Sequence, residues 1–519
     1  MSGSNIERFV QSGLSGKLIN EGQKLEQKLR EFGVVPTGLS DDSRRVKKGD
    51  IFFAYPGTKQ DGRIHINEAI ELGCSVVIWE RNGWSWNSSS QVPNIGLTNV
   101  RALMGEFAAL FYGNPTGSMH VMAVTGTNGK TTCTNWLAEA FYLLGRASAC
   151  IGTLGLKTPG RGLKTTYSGT NTTPDAITLQ RTFRELQDAG VYCVSIEASS
   201  HALAQNRLDG TSIDIAIFTN LSHDHLDYHG SFELYGIAKA ELFLFDTLSH
   251  AVINIDDDFG ADLAKSLRSQ NQRVVTYSMT KKNADICAGD LSLSKTGSVV
   301  RVSTLWGSGE IKSHIVGDFN VSNMLAVLGG LLCSGIEFSE ACHVLETLRH
   351  PEGRLQRVGE EYNRYVYIDY AHTPDALSHV LASMKAFLPP NGRVITVFGA
   401  GGERDKDKRS LMGQAALEFS DVAIVTADNP RHENLDGIIE QIVFGNEDQF
   451  IIEPDRRSAI FRAIELANKY DIVCIAGKGH EKYQDVAGER IPFDDYLVAE
   501  ECLKTFNSHL SECQGSINV

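Results

Sequence analysis

The sequence lacks the features that mark membrane proteins, secreted proteins and nucleic-acid-binding proteins. No apolar run approaches the roughly 18 to 20 residues that a membrane-spanning helix needs, and the N-terminal MSGSNIERFVQSGLSGKL has no continuous apolar stretch of the kind found in signal peptides. The formal net charge is −14, so the chain gains no electrostatic attraction to DNA or RNA. We therefore expect a cytoplasmic protein without a nucleic-acid partner.

The chain also lacks paired cysteines and internal repeats. Its ten cysteines are scattered and none forms a C-x-x-C pair, so the pattern resembles neither a disulfide framework nor a zinc ribbon. Free thiols in a reducing compartment are the expected state. No repeat of a fixed solenoid period is evident. We expect a monomeric globular protein whose partners are small molecules.

The length and apolar content of the chain indicate several folded domains. Its 519 residues, 42% of them hydrophobic, predict three or four domains at about 150 residues each. Two segments rich in glycine, proline and polar residues indicate breaks: YGNPTGSMH (112–120) and RHPEGRLQ (349–356). We predict three α/β domains, over residues 1–114, 115–350 and 351–519, and a loose polar tail after about residue 505.

Apolar strands alternate with helical stretches in the second and third regions. Examples are VMAVTG, YCVSIEA and IDIAIFTNL before the second break, and RVITVFGAGG, DVAIVTADNP and DIVCIAGKGHE after it. This alternation is typical of α/β domains with a mainly parallel sheet, whose ligands bind at the carboxyl ends of the strands. We predict mainly parallel sheets in both regions, with a Rossmann-like arrangement in the last.

The stretch VMAVTGTNGKTTCTNWLAEAF follows the order strand, glycine loop, helix. Backbone N–H groups of such a loop bind phosphate together with the helix N-terminus. Val124 stands where the strict P-loop pattern has its first glycine, and a lysine in a helix-capping turn is the plain alternative. The context favours a P-loop-type ATPase domain, in which Lys130 would contact the β- and γ-phosphates and Thr131 would bind Mg²⁺. The predicted phosphate-loop residues are Gly126, Thr127, Asn128, Gly129, Lys130, Thr131 and Thr132.

The loop TGTNGKTT resembles the ATP loop of the Mur ligase family. The resemblance continues in order through NTTPDA (171–176), IEASSHALAQNRL (196–208), FTNLSHDHLDYHG (218–230), GDFNVSNMLA (317–326), IDYAHTPDAL (368–377), GAGGERDKDKRSLMG (399–413) and AGKGHEKYQ (476–484). It implies an ATP-dependent acid–amino-acid ligase of peptidoglycan biosynthesis. In that reaction ATP converts a carboxylate to an acyl phosphate, and an amine then displaces phosphate to leave an amide and ADP.

The resemblance also implies two Mg²⁺ sites beside the ATP phosphates. Glu197 and His225 would bind metal with Thr131, and Lys239 would be carbamylated by CO₂, which turns a cation into an anionic ligand. The residues by themselves leave other readings open. Glu197 could be a turn or helix-capping acid, Lys239 a solvent-facing helix lysine. The three histidines of SHDHLDYH could suggest zinc, although no cysteine or fourth ligand accompanies them.

Further ATP contacts are implied in the segments FNVSN, GRLQ and IDYAH. Asn320 and Asn323 match the asparagines at the adenine side, although asparagine also caps helices. Arg354 matches a γ-phosphate contact and Asp369 a ribose contact, both acting when the third domain closes over the second. The implied catalytic residues are Lys130, Glu197, His225, Lys239 and Arg354.

The first region contains SDDSRRVKKGDIFFAYPGTKQDGRIHI (40–66), which matches the family block that holds the uridine diphosphate of a sugar nucleotide. Without the resemblance, Lys59 would count as an exposed basic loop residue. The block argues against a folylpolyglutamate-type ligase, which shares the ATP-binding core. The residues implied for binding UDP-MurNAc-L-Ala-D-Glu are Ser43, Thr58, Lys59, Gln60, Asn171, Thr172, Thr173, Ser199, Gln205 and Arg207.

The segment ADNPRHEN follows a strand of the third region, and Asn-Pro is an ordinary turn signal. In the family, DNPR is the pattern of members that add meso-2,6-diaminopimelate. The fork of Arg431 would bind the distal carboxylate of diaminopimelate and repel the ammonium of lysine. The implied amino-acid-binding residues are Arg404, Asp428, Asn429, Pro430, Arg431, Gly477 and Glu481. We expect a diaminopimelate-adding ligase; the alternatives are a lysine-adding ligase, a folylpolyglutamate-type ligase and a P-loop switch protein.

Overall fold

The computed structural model describes residues 6, 9–10, 19–57, 60–87, 90–163, 171–362 and 364–515. Two compact units divide the chain, the first ending at Thr276 and the second beginning at Tyr277. Thr58 and Lys59, predicted for the sugar nucleotide, lie outside the described residues. Among the described helices, none has the length and apolar character that crossing a membrane requires.

The first unit begins with a four-stranded parallel sheet in the order β1-β2-β3-β4. Its strands are β1 (Leu39–Ser40), β2 (Ile51–Ala54), β3 (Val76–Glu80) and β4 (Asn94–Leu97), and its helices are α1 (Ile19–Glu31), α2 (Ile66–Glu71) and α3 (Val100–Phe111). β2 and β3 are buried along their whole length. Phe53 packs towards α1 and α3, whereas Phe52 packs towards α2. Apolar residues on both faces explain why these strands do not alternate with polar ones.

The second sheet of this unit has the order β10-β9-β5-β8-β6-β7. Its strands are β5 (His120–Thr125), β6 (Ser148–Gly152), β7 (Gly155–Lys157), β8 (Cys193–Glu197), β9 (Ile215–Phe218) and β10 (His250–Asn254), and the unit boundary falls within β11 (Val274–Ser278). The helices are α4 (Lys130–Leu143), α5 (Ala176–Asp188), α6 (Ser200–Ala204), α7 (Leu226–His229), α8 (Phe232–Ala240) and α9 (Asp258–Ser269). β5 pairs in parallel with β8 on one side and β9 on the other. The loops that follow these three strands therefore leave from the same edge.

The second unit opens with an antiparallel meander of β12 (Ile286–Ser294), β13 (Gly297–Thr304) and β14 (Gly307–Ser313). Two helices follow, α10 (Asp318–Cys333) and α11 (Phe338–Thr347). α10 is apolar almost all round: its residues from Met324 to Leu332 are all buried. A helix of that composition is stable only inside a packed core.

The last sheet has the order β15-β16-β20-β17-β18-β19 and is parallel except for β15. Its strands are β15 (Gln356–Val358), β16 (Tyr365–Asp369), β17 (Val394–Phe398), β18 (Val422–Val425), β19 (Phe450–Ile452) and β20 (Ile472–Ala476), and a hairpin adds β21 (Tyr483–Val486) and β22 (Glu489–Pro492). The helices are α12 (Pro374–Ala386), α13 (Asp407–Phe419), α14 (Leu435–Val443), α15 (Arg456–Leu466) and α16 (Asp495–Gly515).

Alternate residues of the strands build the two faces of that sheet. Val394 and Phe398 of β17 pack with α12, α13 and α14, whereas Ile395 and Val397 pack with α15 and α16. Helices on both faces of a parallel sheet give the predicted Rossmann-like arrangement. The expectation of a loose tail after residue 505 is wrong as far as residue 515, because α16 continues that far. The nine cysteines whose side chains the structure describes are free, as expected.

Candidate active site

The phosphate loop runs from the end of β5 into the first turn of α4. Lys130 Nζ donates to the carbonyl oxygens of Gly126 at 3.0 Å and Thr127 at 2.9 Å, which curls the loop around the lysine. A Cβ on Gly126 would lie 1.9 Å from Thr219 Oγ1, so a side chain there would force one of the two segments to shift. The loop N–H groups and the α4 N-terminus form an anion-binding turn.

The segment after β9 holds the loop in shape. Thr127 N donates to Asn220 O at 2.8 Å, and Asn128 N donates to Asn220 Oδ1 at 2.9 Å. Thr219 Oγ1 donates to Asn128 O at 2.5 Å. Sequence reasoning did not identify Thr219 or Asn220, although both lie in the FTNLS stretch that carries the resemblance.

Lys239 lies inside the unit rather than on its surface. Its side chain is 1% exposed, and Nζ donates to Gly126 O at 2.7 Å, the same carbonyl oxygen that Lys130 contacts. The ammonium also lies 4.3 Å from the ring centroid of Tyr235. Burial, together with the neighbouring Lys130 charge, holds the pKa of Lys239 well below its ordinary value. The solvent-facing alternative is wrong, and burial favours the neutral amine over the ammonium.

Glu197 ends β8 next to Val124 of β5, one residue before the phosphate loop begins to turn. Its carboxylate is 1% exposed and accepts from Thr153 N at 2.8 Å and from Thr153 Oγ1 at 3.1 Å. Ser199, not Glu197, caps the following helix, because its side chain accepts from Ala202 N. The carboxylate is therefore fixed beside the loop and is not a helix cap.

His225 precedes α7 with a left-handed backbone, φ 53°. Burial lowers its pKa to about 4, against the opposing effect of Asp224 3.4 Å away. The imidazole is therefore neutral near pH 7, which is the form that can bind a metal ion. Within the described residues, no group of three or more histidine, cysteine, aspartate or glutamate side chains is arranged to hold a metal.

Several residues predicted for the dipeptide end of the sugar nucleotide form one connected group around Glu197. Thr173 Oγ1 donates to Glu197 O at 2.6 Å and to Ser199 Oγ at 3.1 Å. Arg207 Nη1 donates to Thr173 O at 2.8 Å, and its Nη2 donates to Gln205 Oε1 at 2.7 Å. Thr172 Oγ1 lies 3.2 Å from Thr153 Oγ1, so Thr172 is linked to the Glu197 carboxylate through Thr153.

The other predicted sugar-nucleotide residues that the structure describes are Ser43, Gln60 and Asn171. Ser43 donates through Oγ to Glu68 Oε2 at 2.7 Å and is buried. Gln60 is exposed and accepts through its carbonyl from Gly57 N at 2.8 Å. Asn171 is exposed and precedes Thr172.

Asp41, beside Ser43 in sequence, is an acid that sequence reasoning did not identify. Tyr55 donates through its hydroxyl to Asp41 Oδ2 at 3.0 Å. Burial, together with the neighbouring Asp175 carboxylate, raises the pKa of Asp41 to about 7. Arg207 lies within electrostatic range of both carboxylates. The first sheet and the Arg207 segment thus share one charged region.

In the second unit, Asn320 and Asn323 lie one turn apart on the first part of α10. Asn320 Nδ2 donates to Val316 O at 3.0 Å, and Asn323 Nδ2 donates to Asn320 Oδ1 at 3.1 Å. Both are buried, and the cap position belongs to Gly317. The alternative that Asn320 caps the helix is therefore wrong.

Arg354 and Asp369 also lie close together. The Arg354 guanidinium carbon is 4.7 Å from the ring centroid of Tyr370. Asp369 ends β16 and accepts from Leu355 N and Ala371 N, both at 2.8 Å. Burial raises the pKa of Asp369, and Arg354 opposes the shift. The aspartate therefore holds the segment that carries Arg354 against the sheet.

The DNPR turn follows β18 and is locked by the hairpin of β21 and β22. Arg431 has φ 51°, a strained region for a residue other than glycine or asparagine. Its N donates to Asp485 O at 2.9 Å, and its carbonyl accepts from Ala487 N at 2.7 Å. Its Nη1 donates to Gly402 O. The hairpin thus fixes an arginine at the carboxyl edge of the sheet.

A buried lysine connects this turn to the GKGHE segment after β20. Lys478 is 0% exposed, and its Nζ donates to Asn429 Oδ1 at 3.0 Å and to Glu481 Oε2 at 3.1 Å. Asn429 Nδ2 donates to the same Glu481 oxygen at 2.8 Å. Asp428 is buried beside Gly477. Sequence reasoning did not identify Lys478, although it lies in AGKGHEKYQ, one of the segments that carry the family resemblance.

The comparisons with known proteins define the class of the protein: it is an ATP-dependent ligase that forms amide bonds. The chain belongs to the Mur ligase family. Residues 36–112 match the family's catalytic domain, 124–331 its middle domain and 353–479 its glutamate ligase domain.

Similar proteins agree with this assignment. A relative from Chromobacterium violaceum, named UDP-N-acetylmuramoyl-L-alanyl-D-glutamate–2,6-diaminopimelate ligase, is 43% identical over 92% of this chain and 96% of its own. A relative of the same name from Pseudomonas aeruginosa is 41% identical over 90% of this chain and 94% of its own. A solved structure of a ligase of that name has a TM-score of 0.66 and 36% identity, covering 91% of this chain and 95% of that one.

A Mycobacterium tuberculosis folylpolyglutamate synthase complexed with ADP shares the fold. It has a TM-score of 0.59 and 18% identity, covering 71% of this chain and 90% of that one. The family uses ATP and Mg²⁺.

Proposed function

We propose that the protein ligates meso-2,6-diaminopimelate to UDP-MurNAc-L-Ala-D-Glu, with ATP, to form UDP-MurNAc-tripeptide for peptidoglycan in the cytoplasm. The observation that carries the proposal is Arg431, which a hairpin holds in a strained turn at the carboxyl edge of the last sheet. A guanidinium there suits the distal carboxylate of diaminopimelate and repels the terminal ammonium of lysine. The names of the two relatives support the same pair of substrates.

Three domains would divide the work, over residues 1–114, 115–350 and 351–519. The three separate family matches, over 36–112, 124–331 and 353–479, support these boundaries. The first domain would bind the uridine diphosphate, the second the ATP phosphates and the third the amino acid. The protein would act as a monomer.

On the phosphate side, the loop N–H groups and Lys130 would hold the β- and γ-phosphates of ATP. A substrate carboxylate would attack the γ-phosphorus, ADP would leave, and an acyl phosphate would result. The amine of diaminopimelate would then attack the acyl carbon and expel phosphate. Asn320 and Asn323 would contact adenine, Arg354 the γ-phosphate and Asp369 the ribose.

The residues beside the loop fit Mg²⁺. Thr131 offers a hydroxyl, Glu197 a fixed carboxylate and His225 a neutral imidazole, while phosphate oxygens would complete the oxygen-rich set that this ion prefers. Bound Mg²⁺ would neutralise charge on the phosphate oxygens. We propose two such sites.

Lys239 would complete this set as a carbamate. Its burial favours the neutral amine, which is the form that adds CO₂ with loss of a proton. The product is an anion, whereas a protonated Lys239 would be a second cation beside Lys130. A carbamate therefore removes a like-charge contact and adds oxygen donors.

A phosphate-release assay tests the function. UDP-MurNAc-L-Ala-D-Glu and ATP are supplied with meso-diaminopimelate or with L-lysine, and each component is omitted in turn. We expect phosphate release only with the full set and with diaminopimelate. Release with lysine alone would make the protein a lysine-adding ligase, and release without any amine would make it a nucleotide-hydrolysing switch; either result contradicts the proposal.

A further inference from the structure

We propose that Arg409 is a positioning residue for amino-acid selection: through Glu433, it clamps together the two loops that carry Arg404 and Arg431. The inference rests on the proposed function, because it assigns the origin of selectivity within the same site. Arg409 itself lies on α13 and is fully buried, so it does not face solvent or substrate.

The guanidinium of Arg409 forms a two-pronged pair with one carboxylate. Nη1 donates to Glu433 Oε2 at 2.9 Å, and Nη2 donates to Glu433 Oε1 at 3.1 Å. Nη1 also donates to Gln441 Oε1 at 2.8 Å, and Nη2 to Gly401 O at 3.2 Å. A planar fork makes this set of contacts, whereas a lysine ammonium cannot reproduce the parallel pair.

Glu433 and Gly401 belong to different loops, so Arg409 bridges them. Glu433 follows the DNPR turn, and its N donates to Pro430 O at 3.1 Å. Its carboxylate also accepts from Glu403 N in the glycine loop after β17. Each loop is therefore bound to the other through side chains as well as through α13.

The two loops also touch through their backbones. Gly402 N donates to Asn429 O at 2.9 Å. A Cβ on Gly402 would lie 1.9 Å from Pro430 O, which shows how closely the backbones approach. Arg431 Nη1 donates to Gly402 O across the same gap. The Arg431 side chain is therefore bonded directly to the backbone of the glycine loop.

Arginine side chains of both loops lie at this gap. A Cβ built on Gly401 would lie 3.2 Å from Arg431 Nη1 and 3.7 Å from the aliphatic Arg404 Cγ, and Arg409 contacts Gly401 O. Glu433 supplies an anion to the gap: the hydrogen bonds from Arg409 lower its pKa to about 2, so it stays charged. Without the Arg409–Glu433 pair, the loops that carry Arg404 and Arg431 would lose the side-chain link that joins them.

The separation of Arg404 and Arg431 would decide which amino acid is accepted. Two cations at a fixed spacing suit a carboxylate between them and reject an ammonium. Loosening the clamp should therefore weaken diaminopimelate binding and reduce the preference over lysine. Substrates bound elsewhere should be affected little.

Two variants and a control separate this role from general stability. Arg409→Lys keeps the charge and loses the fork, and Glu433→Gln keeps the shape and loses the anion. Arg393→Lys is the control, because Arg393 makes a similar pair with Asp471, at 3.1 and 2.7 Å, at the opposite ends of β17 and β20. Melting temperatures of all three are measured alongside activity.

For both test variants we expect KM for diaminopimelate to rise at least about tenfold, with a matching fall in the preference over lysine. KM for ATP and for the UDP-MurNAc-dipeptide should stay within about twofold, and the control should stay within about twofold throughout. If Arg409→Lys does not fold, Glu433→Gln, at a partly exposed position, decides.

Unchanged selectivity in a folded Glu433→Gln variant would overturn the inference. An equal rise of KM for all three substrates would overturn it as well, since that pattern indicates a structural role only. A wild-type protein that does not ligate diaminopimelate would contradict the proposed function itself, and this result is distinct from both.

Discussion

At the scale of single residues, burial decides what a side chain can do. Lys239 and Lys130 both donate to Gly126 O, yet only Lys239 is fully enclosed, with its pKa held well below the ordinary value. A charged ammonium in that position would be desolvated and would face a second cation. Carbamylation by CO₂ removes both the desolvated ammonium and its repulsion by the second cation. A lysine on the surface has neither of these effects to favour the reaction.

The Lys239→Ala variant tests this role. We expect kcat to fall by about 10²- to 10³-fold, the range seen when one electrostatic contact to the reacting groups is lost. Short-chain carboxylic acids added to the assay should restore part of the activity by supplying the missing anion. Lys265→Ala, on the exposed face of α9, is the control and should keep full activity. Full activity of Lys239→Ala would contradict the carbamate proposal.

The Arg431→Ala variant tests the selectivity argument. Loss of a charged hydrogen bond is expected to cost about 1.5 to 3 kcal/mol, which is about a 10- to 150-fold fall in kcat/KM for diaminopimelate. The value for lysine should change less, because that substrate gains nothing from the arginine. Arg457→Ala is the control and should leave both values unchanged, because Arg457 on α15 pairs with Glu501 on α16. An unaltered preference in Arg431→Ala would show that other residues select the amino acid.

Asp41 gives a prediction about stability and pH. Its pKa in the folded protein is about 7, against an ordinary value of 3.8, so the folded state binds the proton more tightly than the unfolded state does. The contribution of Asp41 to stability is therefore present below pH 4 and is lost as the pH rises towards 7. Asp41→Asn removes this dependence.

The melting temperature of Asp41→Asn relative to wild type is the measurement. We expect little difference near pH 4 and a gain of about 2 to 4 °C at pH 8, the shift that roughly 1 kcal/mol produces in a unit of this size. A difference that does not depend on pH would indicate that Asp41 is already ionised in the folded protein.

At the scale of elements, parallel strands bring distant loops to one edge. β5 lies between β8 and β9, so the phosphate loop, Glu197 and the segment leading to His225 follow three neighbouring strands. In the second unit, β17, β18 and β20 do the same for the glycine loop, the DNPR turn and the GKGHE segment. The sheet order therefore assembles both sites.

The close approach of β5 and β9 loops can be tested at Gly126. In Gly126→Ala the added methyl would meet Thr219 Oγ1, and overpacking of this kind costs about 1 to 3 kcal/mol. We expect weaker ATP binding and a lower melting temperature. Gly117→Ala, where nothing lies within 4 Å of the added Cβ, is the matched control and should bind ATP normally. Equal ATP affinity in both variants would show that the loop has room to shift.

At the scale of the whole molecule, the chain contains two compact units, each with its own hydrophobic cores. We expect calorimetric unfolding in more than one transition, because cores that do not share residues need not melt together. A non-hydrolysable ATP analogue with Mg²⁺ at 100 times its Kd should stabilise the unit with the phosphate loop by about 2.7 kcal/mol. In Gly126→Ala this shift should shrink. A single two-state transition would contradict the expectation.

The alternation of strands and helices and the sequence motifs predicted the fold class, because both are properties of short stretches of the sequence. Strand–loop–helix alternation specifies parallel α/β layers, and the glycines of the phosphate loop are needed wherever the backbone approaches another segment closely. The motif order was equally informative about the family. The tail after residue 505 was misjudged, since polar composition does not distinguish a helix from a loose segment.

What the sequence by itself determined is the family, the parallel sheets and the residue types available to each site. What only the tertiary structure decided is the state of those residues: that Lys239 is buried against a carbonyl 113 positions away, that His225 is neutral, that burial raises the pKa of Asp41, and that Arg409 joins two loops through Glu433. Burial and charge neighbours set ionisation and orientation. Both depend on segments that meet only when the chain has folded.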